Sequence, residues 1–437
     1  MVEYGVSPVT IQRAFRLLTS RGLIETRPGV GTFVRRSVLR RLSDFSWQTA
    51  ALGGPGRRPA TPAALQTAAQ GAVTLHSGYP NSDLLPLSLV RAAAKRAIQT
   101  EALLVRPSVG GRADLQAWFA QEVAAQVLAG VNPPNPEDVL VVPGSQSGLC
   151  LAFSVLAGSQ RPLVVESPTY WGALLAAQQT GVELVPIPSG PDGPDPEVLD
   201  RALADTGARA FYAQPTFASP TGALWGRPLS EAVLRVVRAK NAFVIEDDSA
   251  RDFSLLATTP PPLAAMDDAG HVVYVRSLSK STSPSLRVAA VIARGPVRDR
   301  LLAKLAADAM YVSAVLQDTA LDVVRQPQWV SHLKQVRRDL VARRDLLVHC
   351  LAAHAPSVQL TNLPHGGLNL WVRLPDATRL DCVVRNCLDA GVIVGPGDEW
   401  FPSEPTGVYL RLNFASPTTE KFAYVASVIE AAVRQST

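Results

Sequence analysis

Residues 276–287 read Arg-Ser-Leu-Ser-Lys-Ser-Thr-Ser-Pro-Ser-Leu-Arg and follow the apolar run 271–275. The chain has only six lysines among its 42 basic residues, so Lys280 is unusual in this composition. A lysine amine can lose its proton and attack an aldehyde, whereas the guanidinium group of arginine stays protonated. The neighbouring hydroxyl groups and Arg287 suit a phosphate. An ordinary solvated loop is the alternative, but a phosphorylated aldehyde such as pyridoxal phosphate would use all of these groups.

Short apolar runs alternate with helical patterns after residue 73, which is typical of a mainly parallel sheet covered by helices on both faces. The predicted strands of this sheet are 139–142, 162–166, 184–187, 210–213, 242–246, 272–275 and 289–293. Beyond residue 300, one long helix at about 318–353 and two strands at 368–373 and 408–414 predict a smaller α+β part. The sequence therefore predicts an α/β protein with a large and a small part.

Loops that follow the predicted strands carry a consistent set of polar and aromatic residues. In open α/β sheets, ligands bind at these carboxyl ends of the strands. Gly144 and Ser145 precede a predicted helix, whose first amide groups favour an anion. Tyr170 provides an aromatic face in the loop after the next strand. Asp247 follows another strand, where a buried carboxylate needs a positive partner such as a protonated pyridine nitrogen.

The basic excess is confined to the N-terminal part of the chain. The first 60 residues hold ten arginines and three acidic residues, whereas the rest hold 32 basic and 34 acidic residues. This distribution predicts a polyanionic partner, such as DNA, for the N-terminal part. A coding bias that enriches arginine throughout the chain is the alternative explanation.

Cysteine and histidine usage argues against a metal site. The four cysteines are scattered without CxxC spacing, and the six histidines lie apart from any cysteine pair, so we expect a reducing compartment and no bound metal. We also find no signal peptide and no uncharged apolar run of about 18 residues, so we expect no membrane span. Together these features predict a cytoplasmic protein.

Residues 6–34 have the pattern of one helix followed by a hairpin. Ser7 is a predicted N-cap with Pro8 at the first helical position, and apolar residues then recur at helical spacing. Two short predicted strands, 23–26 and 32–34, flank a glycine-rich turn. Residues 37–72 are rich in proline, glycine and arginine, which predicts a linker.

Residues 73–437 resemble fold-type-I, pyridoxal-phosphate-dependent enzymes of the class I/II aminotransferase family. The matching motifs are Pro143-Gly144-Ser145-Gln146, Glu166-Ser167-Pro168-Thr169-Tyr170, Ser219-Pro220-Thr221-Gly222, Ile245-Glu246-Asp247-Asp248, Ser277-Leu278-Ser279-Lys280 with Arg287, Gly366-Gly367-Leu368-Asn369 and Leu410-Arg411-Leu412-Asn413. Residues 6–34 resemble the second half of a GntR-type winged helix-turn-helix. The combination is similar to MocR-family transcriptional regulators, in which such a reader of DNA precedes an aminotransferase-like domain.

This resemblance implies an architecture and a function. A partial winged helix-turn-helix would cover 1–36, a linker 37–72, and an aminotransferase-like domain 73–437, with a large part at about 105–310 and a small part at 311–437. The protein would be a homodimer that binds operator DNA and senses an amine or amino-acid effector through an external aldimine. A free-standing aminotransferase acting on an amino acid and a 2-oxo acid is the alternative, so enzyme activity stays open. A scaffold without cofactor is the third possibility.

The resemblance also implies roles for individual residues. Lys280 would form the imine and would be the acid and base of any chemistry. Asp247 would pair with the pyridine nitrogen, Tyr170 would stack on the ring, and Arg411 would bind the effector carboxylate. The residues expected to hold the cofactor are Ser145, Gln146, Tyr170, Ser219, Asp247, Ser277, Lys280 and Arg287. Those expected to contact DNA are Ser7, Thr10, Gln12, Arg13, Gly29, Gly31 and Thr32.

Several positions depart from the family patterns. Ser219 replaces an asparagine, Ser249 or Ala250 replaces a tyrosine, and Val105 falls where another tyrosine is expected. Because these changes remove hydrogen-bond donors to the cofactor, they favour a sensor over a fast transaminase. In the DNA reader, the two helices expected before the retained one are missing, and Pro8 replaces a common arginine. We therefore expect either a start set too far downstream or a loss of DNA binding.

Overall fold

The computed structural model describes residues 5–35, 62–68, 71–415 and 418–437, and the chain divides into two units, Met1–Pro59 and Ala60–Thr437. The described part of the first unit holds helix α1 (Pro8–Ser20) and an antiparallel hairpin of strands β1 (Ile24–Arg27) and β2 (Gly31–Val34). These elements confirm the helix and the hairpin predicted from the sequence.

Local signals set the ends of these elements. The Oγ atom of Ser7 accepts a hydrogen bond from the Thr10 amide at 3.3 Å, so Ser7 is the N-cap of α1. Pro8 lies in the first turn, where a missing amide hydrogen costs no helical hydrogen bond. Gly29 and Gly31 have φ values of 76° and 143° around the turn of the hairpin, a region that favours glycine.

Helices and strands alternate along most of the second unit. Its helices are α2 (Leu87–Ala97), α3 (Ala113–Ala124), α4 (Ser145–Leu156), α5 (Trp171–Thr180), α6 (Pro196–Thr206), α7 (Arg227–Ala239), α8 (Pro296–Asp308), α9 (Ala314–Arg325), α10 (Pro327–His354), α11 (Leu380–Asp389) and α12 (Phe422–Arg434). Its strands are β3 (Val73–Thr74), β4 (Val139–Val142), β5 (Leu163–Ser167), β6 (Leu184–Gly190), β7 (Gly193–Pro194), β8 (Ala210–Ala213), β9 (Phe243–Asp247), β10 (Val272–Ser277), β11 (Ala289–Ile292), β12 (Gln359–Leu360), β13 (Asn369–Arg373), β14 (Val392–Ile393), β15 (Gly395–Pro396) and β16 (Tyr409–Asn413). Within the described ranges, no helix is both long enough and apolar enough to cross a membrane.

An eight-stranded mixed sheet organises what we call the large lobe. Its strand order is β4-β11-β10-β9-β8-β5-β6-β7. Neighbouring strands from β10 across to β6 run parallel, whereas β11 is antiparallel to both of its neighbours. All seven strands predicted for this sheet are present, which confirms a mainly parallel sheet.

Both faces of this sheet are buried. Val244 and Ile245 are consecutive and fully buried, yet they belong to two different apolar clusters, because side chains of a strand alternate between faces. Helices cover each cluster, so the strands are continuously apolar rather than alternating with polar residues. At roughly 25 cal/mol per Å² of buried apolar surface, these two clusters are a major source of the stability of the lobe.

A smaller antiparallel sheet organises the small lobe. Its strand order is β12-β13-β16-β15, and α10, α11 and α12 pack on it. Strand β3 pairs in parallel with β14, so Val73 lies beside Val392 although they are far apart in sequence. The described chain therefore enters the second unit at the small lobe, builds the large lobe, and then returns.

The prediction of a single long helix at about 318–353 is wrong. The structure has two helices, α9 ending at Arg325 and α10 beginning at Pro327. Gln326 between them has φ −69° and ψ 137°, an extended conformation. Pro327 lacks an amide hydrogen and disfavours helical geometry at the residue before it, which explains the break.

Candidate functional site

The predicted site residues of the large lobe lie at the carboxyl ends of its parallel strands. Asp247 is the last residue of β9, and Lys280 follows the end of β10 by three residues. The segment after β10 returns through Arg287 into the antiparallel strand β11. Because β10 and β11 are neighbours, Lys280 and Arg287 belong to one connection at one edge of the sheet.

Asp247 is a buried carboxylate with one oxygen left free. Its Oδ2 atom accepts hydrogen bonds from the Tyr212 hydroxyl at 3.0 Å and from Gln214 Nε2 at 2.8 Å. Its Oδ1 atom is buried without a hydrogen-bond partner among the described residues. Burial raises the pKa of Asp247, and the positive charge of Lys280 opposes that rise. A cationic N–H donor at Oδ1 would satisfy this acceptor and keep the carboxylate ionised.

Lys280 is half-buried beside an aromatic ring and feels the charge of Asp247. Its Nζ atom lies 5.8 Å from the centre of the Tyr170 ring. Burial lowers the pKa of Lys280, Asp247 opposes this effect, and the charge of Arg411 adds to it. A lowered pKa increases the fraction of neutral amine, which is the nucleophilic form.

A candidate anion-binding turn lies at the start of α4. Gly144, the N-cap of α4, has φ 86°, and a Cβ atom there would lie 2.5 Å from Cζ of Arg287. The guanidinium group therefore lies against the glycine backbone, close to the amide of Ser145. Arg287 itself has φ 45°, which is uncommon for a residue other than glycine. Among the described residues we find no ion pair of Arg287 with an acidic side chain.

Hydroxyl groups of the Lys280 segment are also buried. The Ser277 Oγ atom accepts a hydrogen bond from the Ser279 amide at 3.2 Å. The Ser279 Oγ atom is buried without a partner among the described residues. An unpaired buried hydroxyl group costs free energy, and a phosphate oxygen would provide an acceptor for it. Ser279 therefore joins the candidate anion-binding residues, although the sequence analysis selected only Ser277.

Two other predicted cofactor ligands are placed differently. Gln146 donates from Nε2 to the Gly172 carbonyl at 2.7 Å, which leaves its Oε1 acceptor buried and free within the described part of the chain. Its side chain thus offers an acceptor rather than a donor, so a phosphate would meet the backbone of this turn instead. Ser219 lines the cavity beside Lys280, and its amide donates to Gln214 Oε1 at 2.9 Å.

Arg411 provides the small-lobe side of the site. Its Nη1 atom donates to the carbonyl oxygens of His76 and Ser77 at 3.0 and 3.2 Å, and its guanidinium group lies 4.9 Å from the centre of the Trp400 ring. Its Nε atom is buried with no partner in the described ranges, and Nη2 lies beside Gly78. Burial lowers the pKa of Arg411 to about 9. The electrostatic effects of Tyr170 and Glu399 oppose this decrease. The Nε and Nη2 edge is therefore suited to a carboxylate, which accepts two parallel hydrogen bonds.

The sequence analysis missed Tyr212, Gln214 and Trp400. The register of β8 and β9 places Ala213 opposite Glu246, so Gln214 comes opposite Asp247. The period of two along a strand could have indicated that Tyr212 and Gln214 share a face. To predict that these residues contact Asp247, one also has to know that β8 and β9 are adjacent in the sheet. No local sequence pattern gives the order of strands.

The residues predicted to contact DNA are exposed, and each lies on α1, at its N-cap or on the hairpin. The hydroxyl groups of Ser7 and Thr10 lie 2.9 Å apart and engage each other. Gln12 and Arg13 are exposed on α1. The Thr32 hydroxyl lies 3.3 Å from that of Thr26 across the hairpin. Their role in binding DNA stays a prediction.

A second, larger cavity lies at the opposite edge of the sheet. It has a volume of about 560 Å³ and is lined by Phe243, the first residue of β9, by His271, which precedes β10, and by Arg294, which follows β11. It contains none of the residues predicted for the site. The buried atoms of Asp247, Ser279 and Arg411 that have no partner among the described residues belong to the predicted site around Lys280, so we assign the candidate site there.

The free atoms of this site match one cofactor. Pyridoxal phosphate has a ring nitrogen that can protonate, an aldehyde and a phosphate. These correspond to the free Oδ1 of Asp247, the amine of Lys280, and the cradle of Gly144, Ser279 and Arg287. The residues present therefore fit this group.

Comparisons with known proteins agree with this geometry. Residues 73–429 match the model of aminotransferase class I and II, and residues 1–34 match that of bacterial regulatory proteins of the gntR family. The chain is 25% identical to the HTH-type transcriptional regulator YdfD of Bacillus subtilis over 426 residues, covering 96% of this chain and 87% of that protein. It is 26% identical to the probable rhizopine catabolism regulatory protein MocR of Rhizobium meliloti over 410 residues, covering 92% of this chain and 82% of that protein. The crystal structure of LysN, an α-aminoadipate aminotransferase of Thermus thermophilus complexed with N-(5'-phosphopyridoxyl)-L-leucine, has a TM-score of 0.77 and 27% identity, covering 84% of this chain and 93% of that one.

Proposed function

Because the chain belongs to the aminotransferase class I and II family and carries a gntR-type segment at its N-terminus, we propose that it is a pyridoxal-phosphate-binding transcriptional regulator that responds to an amine or amino acid. The observation that carries this proposal is the free Oδ1 acceptor of the buried Asp247 close to the half-buried Lys280, in a chain that also matches the gntR family of bacterial regulatory proteins. A bacterial regulator that binds both DNA and an amino acid would act in the cytoplasm, where both are present.

In this proposal the large lobe alone holds the cofactor. Asp247 accepts from the ring nitrogen, Tyr170 covers the ring, and Arg287 binds the phosphate. Ser279 and Ser277 add hydroxyl groups to the phosphate site. The bound cofactor supplies an aldehyde that condenses with amines and withdraws electrons from them. Lys280 provides the amine that holds the cofactor and can also carry a proton.

The effector would bind between the lobes. The free Nε and Nη2 edge of Arg411 orients a carboxylate, while Nη1 stays fixed on the small-lobe backbone. Desolvation strengthens this contact, because the guanidinium group is only 2% exposed. A ligand that reaches from Arg411 to Lys280 contacts both lobes and therefore favours their approach. We propose that this change reaches the reader, whose contacts with DNA would come from α1 and the hairpin.

The regulator is proposed to be a homodimer. The consecutive residues Leu103, Leu104 and Val105, in the segment between α2 and α3, are exposed to 62%, 86% and 50%. Contiguous exposed apolar residues of this kind are typical of interaction surfaces. A symmetric dimer would cover them, and light scattering of the full chain would measure its mass.

A free-standing aminotransferase remains the second candidate function. The presence of Lys280, Asp247 and Arg411 in one candidate site supports it, as does the similarity to LysN, which is named as an aminotransferase. Ser219, and Ser249 or Ala250, replace hydrogen-bond donors of the family pattern and therefore favour a sensor. Overnight incubation of the full chain with amino donors and 2-oxoglutarate separates the two functions. Sustained production of an oxo acid would support the aminotransferase function and contradict a protein that only senses its ligand.

Two measurements test the regulator. Borohydride reduction of the cofactor-loaded chain should fix the cofactor on Lys280, detected by peptide mass. In Lys280→Arg, the peptide that carries the cofactor should be absent. In Lys240→Arg, a matched change elsewhere on the large lobe, it should still be detected. A gel shift with the intergenic DNA upstream of the gene should show binding that amino acids alter. No cofactor attachment and no binding to this DNA would together refute the proposal.

A further inference from the structure

The cavity at the start of β9 and β10 combines an apolar surface with a basic rim. Its lining comes mainly from the end of α4, the start of β9, the segment before β10 and the start of α8. We propose that this cavity is a second ligand site, which binds a small organic phosphate with an aromatic or apolar body. The site is separate from the one around Lys280, so it goes beyond the function proposed above and stands independently of it.

The charges of the lining favour an anion. Among the described residues that line the cavity, three are arginines, Arg161, Arg294 and Arg300, and one is acidic, Asp268. The Oδ2 atom of Asp268 accepts hydrogen bonds from the backbone amide and from Nδ2 of Asn132 at 3.1 and 3.0 Å. Asn132 lies outside the lining, so this carboxylate is already engaged from outside the cavity. The lining keeps a net positive charge, which attracts an anion.

The arginines reach the cavity from three different elements. Arg161 precedes β5, Arg294 follows β11, and Arg300 lies on α8. Arg294 is oriented by its own contacts, because its Nη2 atom donates to the Asn132 carbonyl at 2.8 Å and its Nε atom lies 3.8 Å from Asp138 Oδ2. Its Nη1 atom takes no part in these two contacts. A tetrahedral phosphate accepts hydrogen bonds from several directions, whereas a carboxylate accepts them in one plane, so donors from three elements suit a phosphate better.

The apolar surface of the cavity predicts an organic body on this phosphate. Val155 and Leu156 at the end of α4, Val297 on α8 and Phe243 on β9 all line it. The Phe243 side chain is half-buried although it begins a strand of the central sheet. An aromatic or aliphatic body that covers these side chains removes apolar surface from water. The volume of about 560 Å³ lies within the range of about 300–1,000 Å³ that is typical of small-molecule sites.

The strands of the sheet separate this cavity from the site around Lys280. Phe243 begins β9 and Asp247 ends it, which is a distance of about 13 Å at about 3.3 Å per residue. The phosphate contact proposed for Arg287 belongs to the far end of the strands and makes no use of the arginines of the cavity. A ligand of the cavity and the cofactor would therefore bind at the same time.

Calorimetric titration of the full chain tests this inference. The chain is first loaded with pyridoxal phosphate and reduced with borohydride, so that the phosphate of the cofactor occupies the site of Arg287. Phenyl phosphate and adenosine 5'-monophosphate should bind about tenfold or more tightly than phenol and adenosine, which lack the phosphate, and than inorganic phosphate, which lacks the body. The two organic phosphates distinguish a simple aromatic body from a nucleoside. Equal binding of the phosphorylated and unphosphorylated compounds would overturn the inference, and equal binding of inorganic phosphate would overturn its apolar part.

Charge substitutions make the test specific for the cavity. Arg161→Gln and Arg300→Gln should each weaken binding of phenyl phosphate about fivefold or more, and the double variant should weaken it further. Arg235→Gln removes the same charge from exposed α7, outside the lining, and should leave binding unchanged. All three arginines are exposed, so the variants should fold, as thermal unfolding will show. Unchanged binding in the double variant would refute the cavity as the site, whether or not the chain has been loaded with cofactor.

Discussion

Replacement of Gly144 with alanine should weaken cofactor binding through a steric effect on Arg287. The new Cβ atom would lie 2.5 Å from Cζ and 3.1 Å from Nε of Arg287, so the guanidinium group must move. Loss of one charge-assisted hydrogen bond costs about 1.5–3 kcal/mol, which corresponds to about 10- to 150-fold in the dissociation constant for pyridoxal phosphate. Fluorescence titration of the apoprotein with the cofactor measures this change.

Backbone strain must be separated from this effect. Gly144 has φ 86° and ψ 159°, a region that residues other than glycine enter at a cost of about 1–3 kcal/mol. Gly295 is a matched control, because it is also a helix N-cap, with φ 74° and ψ −159°, and a Cβ atom there meets nothing within 4 Å. Gly295→Ala should lower the unfolding free energy and leave cofactor affinity unchanged. Equal cofactor affinity in Gly144→Ala and Gly295→Ala would refute the phosphate cradle.

Three other perturbations test separate contacts of the molecule. Burial raises the pKa of Glu166 from 4.5 to about 7, so the folded state holds the proton more tightly than the unfolded state. Stability should fall as pH rises through this window, by up to about 3 kcal/mol, and Glu166→Gln should flatten that dependence in urea unfolding at several pH values. Arg411→Lys should weaken binding of carboxylate ligands about tenfold or more in calorimetry, with cofactor affinity retained, because an ammonium group cannot form the paired contact. Arg13→Ala should reduce the salt dependence of DNA binding by about one unit of slope in gel shifts, whereas Arg201→Ala on the large lobe should not.

The sequence predicted much of the large lobe because its strands are continuously apolar and its loops are polar. Asp247 and Lys280 could be selected because each lies at or just after the end of a buried strand, where a charged group needs a partner. The break at Gln326 was missed although Pro327 marks it. The helical pattern on both sides was stronger than this single signal.

Other parts of the site depended on contacts between distant segments. The carbonyl oxygens of His76 and Ser77 hold Arg411, and no local pattern indicates that pairing. Tyr212 came next to Asp247 through strand order, which periodicity does not report. The free state of Ser279 Oγ among the described residues is likewise a property of packing, because the residue type alone does not say whether a hydroxyl group finds a partner.

The antiparallel neighbours β10 and β11 have a mechanical consequence for the whole site. The connection between them holds both Lys280, the proposed attachment point, and Arg287, the proposed phosphate contact, while Arg411 lies on a separate sheet. A movement of the small lobe relative to the large one would therefore shift Arg411 and leave the proposed cofactor contacts in the large lobe unchanged. The cofactor would then stay bound in one geometry, and the distance between the two sheets would change when the ligand binds.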